Sequence, residues 1–94
     1  MKYEIRVHPD AVKFLKSMDS KTRERIRAAL QNASENPFKS RSKADIIKLK
    51  GVKGGEDLFR LRVGNYRIIY AVDSESKIIW VTEIFEKGRG YRWL

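Results

Sequence analysis

The chain contains no cysteine. No disulfide can staple it, and no thiolate can bind zinc. A single histidine, His8, excludes an imidazole-rich metal site. Proline is also scarce, and its two positions, Pro9 and Pro37, act as punctuation for helices. No apolar run approaches the roughly 20 residues that a helix needs to span a bilayer, so no membrane partner is expected. The first ten residues, MKYEIRVHPD, hold no apolar signal core, so secretion is not expected. The cytoplasm is the expected compartment.

Positive charge is what the chain has in excess. Lys and Arg number 21 against 12 Asp and Glu, a net charge of +9 on 94 residues. That bias favours a polyanionic partner, nucleic acid being the commonest. An acidic protein, an anionic membrane surface, or simply a well-solvated exterior would use the same charge. Hydrophobic residues make up 41% of the chain, enough for one core and hence one domain over residues 1–94.

Residues 2–7 alternate, with Tyr3, Ile5 and Val7 on one side, and predict a half-buried strand. Pro9 suits the first turn of a helix. Ala11, Phe14, Leu15 and Met18 then form one apolar stripe. Asp19-Ser20 interrupts the stripe and can cap a second helix, whose own stripe is Ile26, Ala29, Leu30 and Ala33. Pro37 ends it. Residues 36–45 read as a loop, 46–50 (IIKLK) as a short strand, and 51–57 as a glycine-rich turn. A hairpin over 58–70, a turn at 73–76 and a last strand, KIIWVTEIF, complete the order β-α-α-β-β-β-β. The fold class is α+β: a mainly antiparallel sheet with the helical hairpin packed on one face.

The hairpin LFRLRVGNYRIIY carries the most information. A two-residue turn at Gly64-Asn65 pairs Val63 with Tyr66, and therefore Arg62 with Arg67. Arg60 and Arg62, two apart, share that face. The opposite face, with Phe59, Leu61, Val63, Tyr66, Ile68 and Tyr70, is apolar. Like charges directly opposite each other cost stability. One use that offsets the cost is a phosphate cradle, since guanidinium forks match phosphate oxygens. The other reading is a solvated face on which each arginine finds a carboxylate, with Glu56, Asp57 and Glu83 the available acids.

The tail interleaves Lys87, Arg89 and Arg92 with Tyr91 and Trp93. Cations track phosphates and rings stack on bases, a pattern suited to single-stranded nucleic acid. A terminus folded back on the core through Trp93 reads equally well. His8, alone at a strand end, reads as structural. The Gly51–Gly55 turn lacks the Lys-Ser/Thr ending of a P-loop. Glu83 and Glu86, three apart on a strand, face opposite sides. Nothing resembles a nucleophilic triad. Whether Trp80 or Val81 joins the arginine face depends on the register of the last strand.

The succession of strand, helical hairpin, IKLKG, FRLRVGNYRIIY and a basic tail ending near a tyrosine resembles the RelE/ParE superfamily of bacterial and archaeal toxins. The resemblance runs from Tyr3 to Tyr91, and its most specific part is the block 47–70. The basic tail is similar to the RelE branch, which cleaves messenger RNA in the ribosomal A site. Two other readings stand beside it: a gyrase-directed toxin of the ParE branch, and a non-catalytic RNA-binding module.

The RelE resemblance implies a metal-free endoribonuclease without cofactor, in which the ribose 2′-hydroxyl attacks the adjacent phosphate. It places Arg60, Arg62 and Arg67 on the phosphate, Tyr91 stacked on a base of the codon, and Lys87 where relatives carry a second catalytic arginine. Arginine is a poor base, so Lys87 is the local candidate for that role. Arg89, Arg92, Lys48 and Lys50 are the expected further RNA contacts. The implied partners are a RelB-type antitoxin, the ribosome with its message, and operator DNA reached only through the antitoxin complex.

Overall fold

The computed structural model describes residues 2–38, 45–49 and 57–88. Its elements follow the expected order: β1 (Glu4–Val7), α1 (Pro9–Lys16), α2 (Ser20–Glu35), β2 (Ile46–Lys48), β3 (Leu58–Val63), β4 (Tyr66–Asp73) and β5 (Ile78–Glu86). The strands form one sheet in the order β1-β5-β4-β3-β2. β1 lies parallel to β5, and the other three pairs are antiparallel. The fold class is thus the expected α+β arrangement. Among the described residues no helix is long and apolar enough to cross a membrane.

Local chemistry starts and stops the helices. His8 caps α1, its Nδ1 accepting the Asp10 N–H at 3.1 Å, and Pro9 stands in the first turn. The lone histidine is therefore a helix cap. Asp19 caps α2 by accepting the Thr22 N–H at 3.2 Å. At the far end Asn36 adopts extended geometry before Pro37, as the restriction on a residue preceding proline requires. The Tyr3 N–H donates to the Ser34 carbonyl at 2.9 Å and ties β1 to the end of α2.

The helices cover one face of the sheet. Ala11, Ile26, Leu30 and Ala33 meet Phe59, Leu61, Ile68, Tyr70, Val72, Ile79, Val81 and Ile84 in one buried cluster. Phe14, Leu15, Met18 and Ala29 pack at its rim, so both predicted stripes face inward. Tyr70 is fully buried and stacks on Phe59 at 5.8 Å. Its hydroxyl donates to the Pro37 carbonyl at 2.6 Å. Burial pushes that hydroxyl well above the ordinary phenol range.

Residues on β5 do not alternate evenly. Ile69 pairs with Glu83 and Tyr70 with Val81, which leaves Thr82 as an extra residue in the ladder. This bulge lets Ile79, Val81 and Ile84 all enter the core although 81 and 84 are three apart. Val81 is buried, and Trp80 goes to the other face with 39% of its surface exposed.

Tyr70→Phe should destabilise the protein by about 1–3 kcal/mol, because the buried Pro37 carbonyl loses its donor; urea unfolding with an unchanged slope would measure it. The Asp19 cap should respond to acid. Hydrogen bonds from the Thr22 side chain and then its N–H hold the Asp19 carboxyl below its ordinary value. The folded value is the lower one, so the cap stabilises fully above the unfolded value and is lost as pH falls through the folded one. Asp19→Asn should flatten the acid limb of the stability curve, read from unfolding midpoints across the carboxylate range.

Candidate functional site

The face of the sheet away from the helices carries the arginines. Pairing along β3 and β4 sets Arg62 directly opposite Arg67 and Arg60 opposite Ile69. The next strand sets Arg67 against Phe85, Ile69 against Glu83, and Ala71 against Trp80. Beyond it, Arg6 of β1 lies beside Trp80. On the other flank Ile47 of β2 is the partner of Arg60. Since side chains alternate along a strand, Ile47, Arg60, Arg62, Arg67, Glu83, Phe85, Trp80 and Arg6 share this face.

The turn that creates the cluster depends on glycine. Gly64 has φ +57°, a conformation that strains any L side chain. Asn65 has no positive φ, as expected for a type II′ turn with glycine first. A β-carbon on Gly64 would also lie 3.2 Å from an Arg25 guanidinium nitrogen.

The three hairpin arginines differ in their surroundings. Arg67 is 7% exposed, and its Nη1 donates to the Gly64 and Tyr66 carbonyls, each at 3.0 Å. It therefore braces the turn from beneath. Arg62 is exposed, and its Nη2 meets the Asp45 carboxylate at 3.1 Å. The Arg62 N–H also donates to the Asp45 carbonyl at 2.7 Å. Arg60 is half-buried. Among the described residues, the buried Nε atoms of Arg60 and Arg67 have no acceptor. A buried guanidinium donor without an acceptor is costly, and an anionic oxygen placed against this face would remove that cost.

Asp45 is not among the acids expected from the sequence. Its signal was available, because pairing Ile46 with Leu61 carries Asp45 alongside Arg62. Asp57 serves elsewhere, holding Lys48 Nζ at 3.2 Å. Lys48 pairs with Phe59, which puts it on the helix side of the sheet. The structure thus separates Lys48 from the arginines it was expected to assist. Glu83 does share their face, and Glu86, opposite Tyr66, does not.

Lys87 immediately follows β5, and its N–H donates to the Asn65 carbonyl at 2.6 Å. That bond fixes its backbone beside the turn that Arg67 braces. Lys50, Arg89, Tyr91, Arg92 and Trp93 lie outside the described residues, as do Glu56 and the Gly51–Gly55 turn. Among the described residues no group of three His, Cys, Asp or Glu side chains could hold a metal ion.

Comparison with known proteins gives this architecture a family. A family model described as the ParE toxin of type II toxin-antitoxin systems matches residues 5–91. The chain is 34% identical to a chain of an archaeal RelE-RelB complex from Pyrococcus horikoshii, with a TM-score of 0.81, covering 96% of this chain and 100% of that one. It is 26% identical to a chain of the RelB-RelE complex of Methanococcus jannaschii, with a TM-score of 0.65 over 94% of this chain and 96% of the other. The isolated RelE toxin of E. coli is 25% identical, with a TM-score of 0.63 over 94% and 87%. A conserved architecture over nearly the whole length, with this identity, makes the chain a member of the RelE/ParE family of type II toxins, and its solved likenesses are of the RelE kind.

The Asp45–Arg62 pair leads to a direct test. Both side chains are more than a third exposed, so the pair itself adds little stability. Asp45→Asn should release Arg62 and raise affinity for heparin roughly 1.5- to 5-fold at low salt. The gain should shrink as salt rises.

Proposed function

We propose that this toxin is a ribosome-dependent endoribonuclease that cleaves messenger RNA in the A site and so stops translation. The observation that carries this reading is the pair of buried guanidinium nitrogens on Arg60 and Arg67, which have no acceptor among the described residues. They stand in a face that also holds the exposed Arg62. Fixed donors of this kind stabilise charge that builds on a phosphate during in-line attack.

In this mechanism the 2′-hydroxyl attacks the neighbouring phosphorus, the bond to the 5′-oxygen breaks, and a cyclic phosphate and a free 5′-hydroxyl result. Arg60 and Arg62 hold the non-bridging oxygens. Arg67 keeps the turn rigid and offers its Nε. Lys87, tied to the Asn65 carbonyl, takes the 2′ proton, and water protonates the departing 5′-oxygen. Tyr91 stacks on a codon base, with Arg89, Arg92 and Lys50 along the backbone of the RNA. Lys48, on the other side of the sheet, is left out of this set.

The RelE relatives solved with RelB support a cognate antitoxin as the partner. The net charge of +9 suits an acidic antitoxin segment that orders on binding. Operator DNA is then reached through the antitoxin. Residues 1–94 act as one domain, in the cytoplasm where ribosomes are.

The ParE description of the matching family model favours a second reading, action on DNA gyrase. Primer extension on messages bound to programmed ribosomes separates the two. The wild type should cut within the A-site codon, Arg60→Ala should lower the rate about 10²–10³-fold, and Arg67→Ala should abolish cutting. Full cleavage by Lys87→Met would remove Lys87 as the base. No cleavage with ribosomes but arrested gyrase would support the second reading.

A further inference from the structure

Trp80 is a large aromatic left open on the arginine face, with 39% of its surface exposed. Phe38, more exposed still, packs edge-on against Phe59 and Tyr3, at 5.5 and 6.4 Å between ring centroids. Trp80 has a different neighbour. The Arg6 guanidinium lies 5.3 Å from the centre of its ring. Arg6 is held there by Glu4, which accepts from its Nε at 2.7 Å. Across the ladder from Trp80 stands Ala71, too small to cover the ring. The Arg6 side chain itself remains 49% exposed, so the pair does not close over itself.

The position of this pair relative to the arginines follows from the register. Ala71, opposite Trp80, is two residues along β4 from Ile69, which is opposite Arg60. Trp80 and Arg60 lie two strands apart, so strand geometry separates their backbones by about 12 Å. Indole rings and guanidinium planes both accept a stacked base. Arg6 stands at one end of this stretch and Arg60, Arg62 and Arg67 at the other, with the Glu83 carboxylate on the same face between them. A polyanion carrying flat bases fits that order of groups.

We propose that Trp80 and Arg6 form a stacking platform for an unpaired base of the message, beside the phosphate held by the hairpin arginines. This assignment rests on the reading of the arginine face as an RNA site. It adds an aromatic contact to the phosphate contacts of the hairpin arginines.

The test is fluorescence anisotropy with a labelled single-stranded RNA whose 2′-hydroxyls are methylated, so that it binds without being cut. Trp80→Ala should weaken binding about tenfold, the loss expected for one stacked base. Trp80→Phe should keep most of the affinity and report on folding through its urea midpoint. The salt dependence of binding should not change in Trp80→Ala, whereas Arg62→Gln should reduce the slope by about one. Wild-type affinity in Trp80→Ala would overturn the proposal. So would a loss seen with message-free ribosomes but not with the oligonucleotide, which would mark a ribosomal RNA contact. A loss confined to antitoxin binding would give the platform to a protein and overturn it too. The oligonucleotide arm needs no catalysis. If it responds to Trp80→Ala while ribosomes yield no cut message, the platform stands and the nuclease reading falls. If the wild type binds no oligonucleotide at low salt while ribosomes yield cut message, the platform falls and the nuclease reading stands.

Discussion

The Gly64-Asn65 turn sets the register on which the rest of the sheet depends. It pairs Val63 with Tyr66, and every other partner on β3 and β4 follows. Side chains alternate with a period of two, so a slip of one residue would send Phe59, Leu61, Ile68 and Tyr70 to solvent and the arginines to the helices. The same register forces Arg62 against Arg67. Two local contacts make the juxtaposition tolerable. Arg67 turns back onto the carbonyls of the turn, and Arg62 reaches Asp45.

The bulge at Thr82 is the second constraint. Without it, β5 could not place Ile79, Val81 and Ile84 in the core together. The same bulge gives Trp80, Glu83 and Phe85 to the arginine face. One inserted residue thus completes the hydrophobic core and lets Trp80, Glu83 and Phe85, two aromatics and an acid, share the basic surface. Arg6 arrives there by a separate route, through the parallel pairing of the first strand with the last. Residues far apart in the chain are brought together in this way.

Much of the fold was legible because its signals are local. The Pro9 and Pro37 boundaries, the Asp19 cap and the two apolar stripes each rest on neighbours within a turn or two of helix. The Arg62–Arg67 pairing was legible for the same reason, since a two-residue turn leaves a hairpin one register. The acid on Arg62 was harder to see. Asp45 lies 17 residues away and acts through the pairing of β2, a strand of three residues with a weak pattern. Lys48 is expected among the RNA contacts, but its partner Phe59 puts it across the sheet.

The sequence by itself determined the type of each element, the apolar faces of the first strand, the two helices and the hairpin, and a cluster of three arginines in that hairpin, because propensity, capping and period-two alternation act over a few residues. Tertiary structure decided what each arginine does. Burial and the turn carbonyls make Arg67 a brace, Asp45 at the start of β2 meets Arg62, and Arg60 keeps a buried donor without an acceptor among the described residues. It also decided that Trp80, and not Val81, faces the arginines. Those outcomes depend on strand order and on one bulge, which are set by contacts between distant segments and by how the core fills.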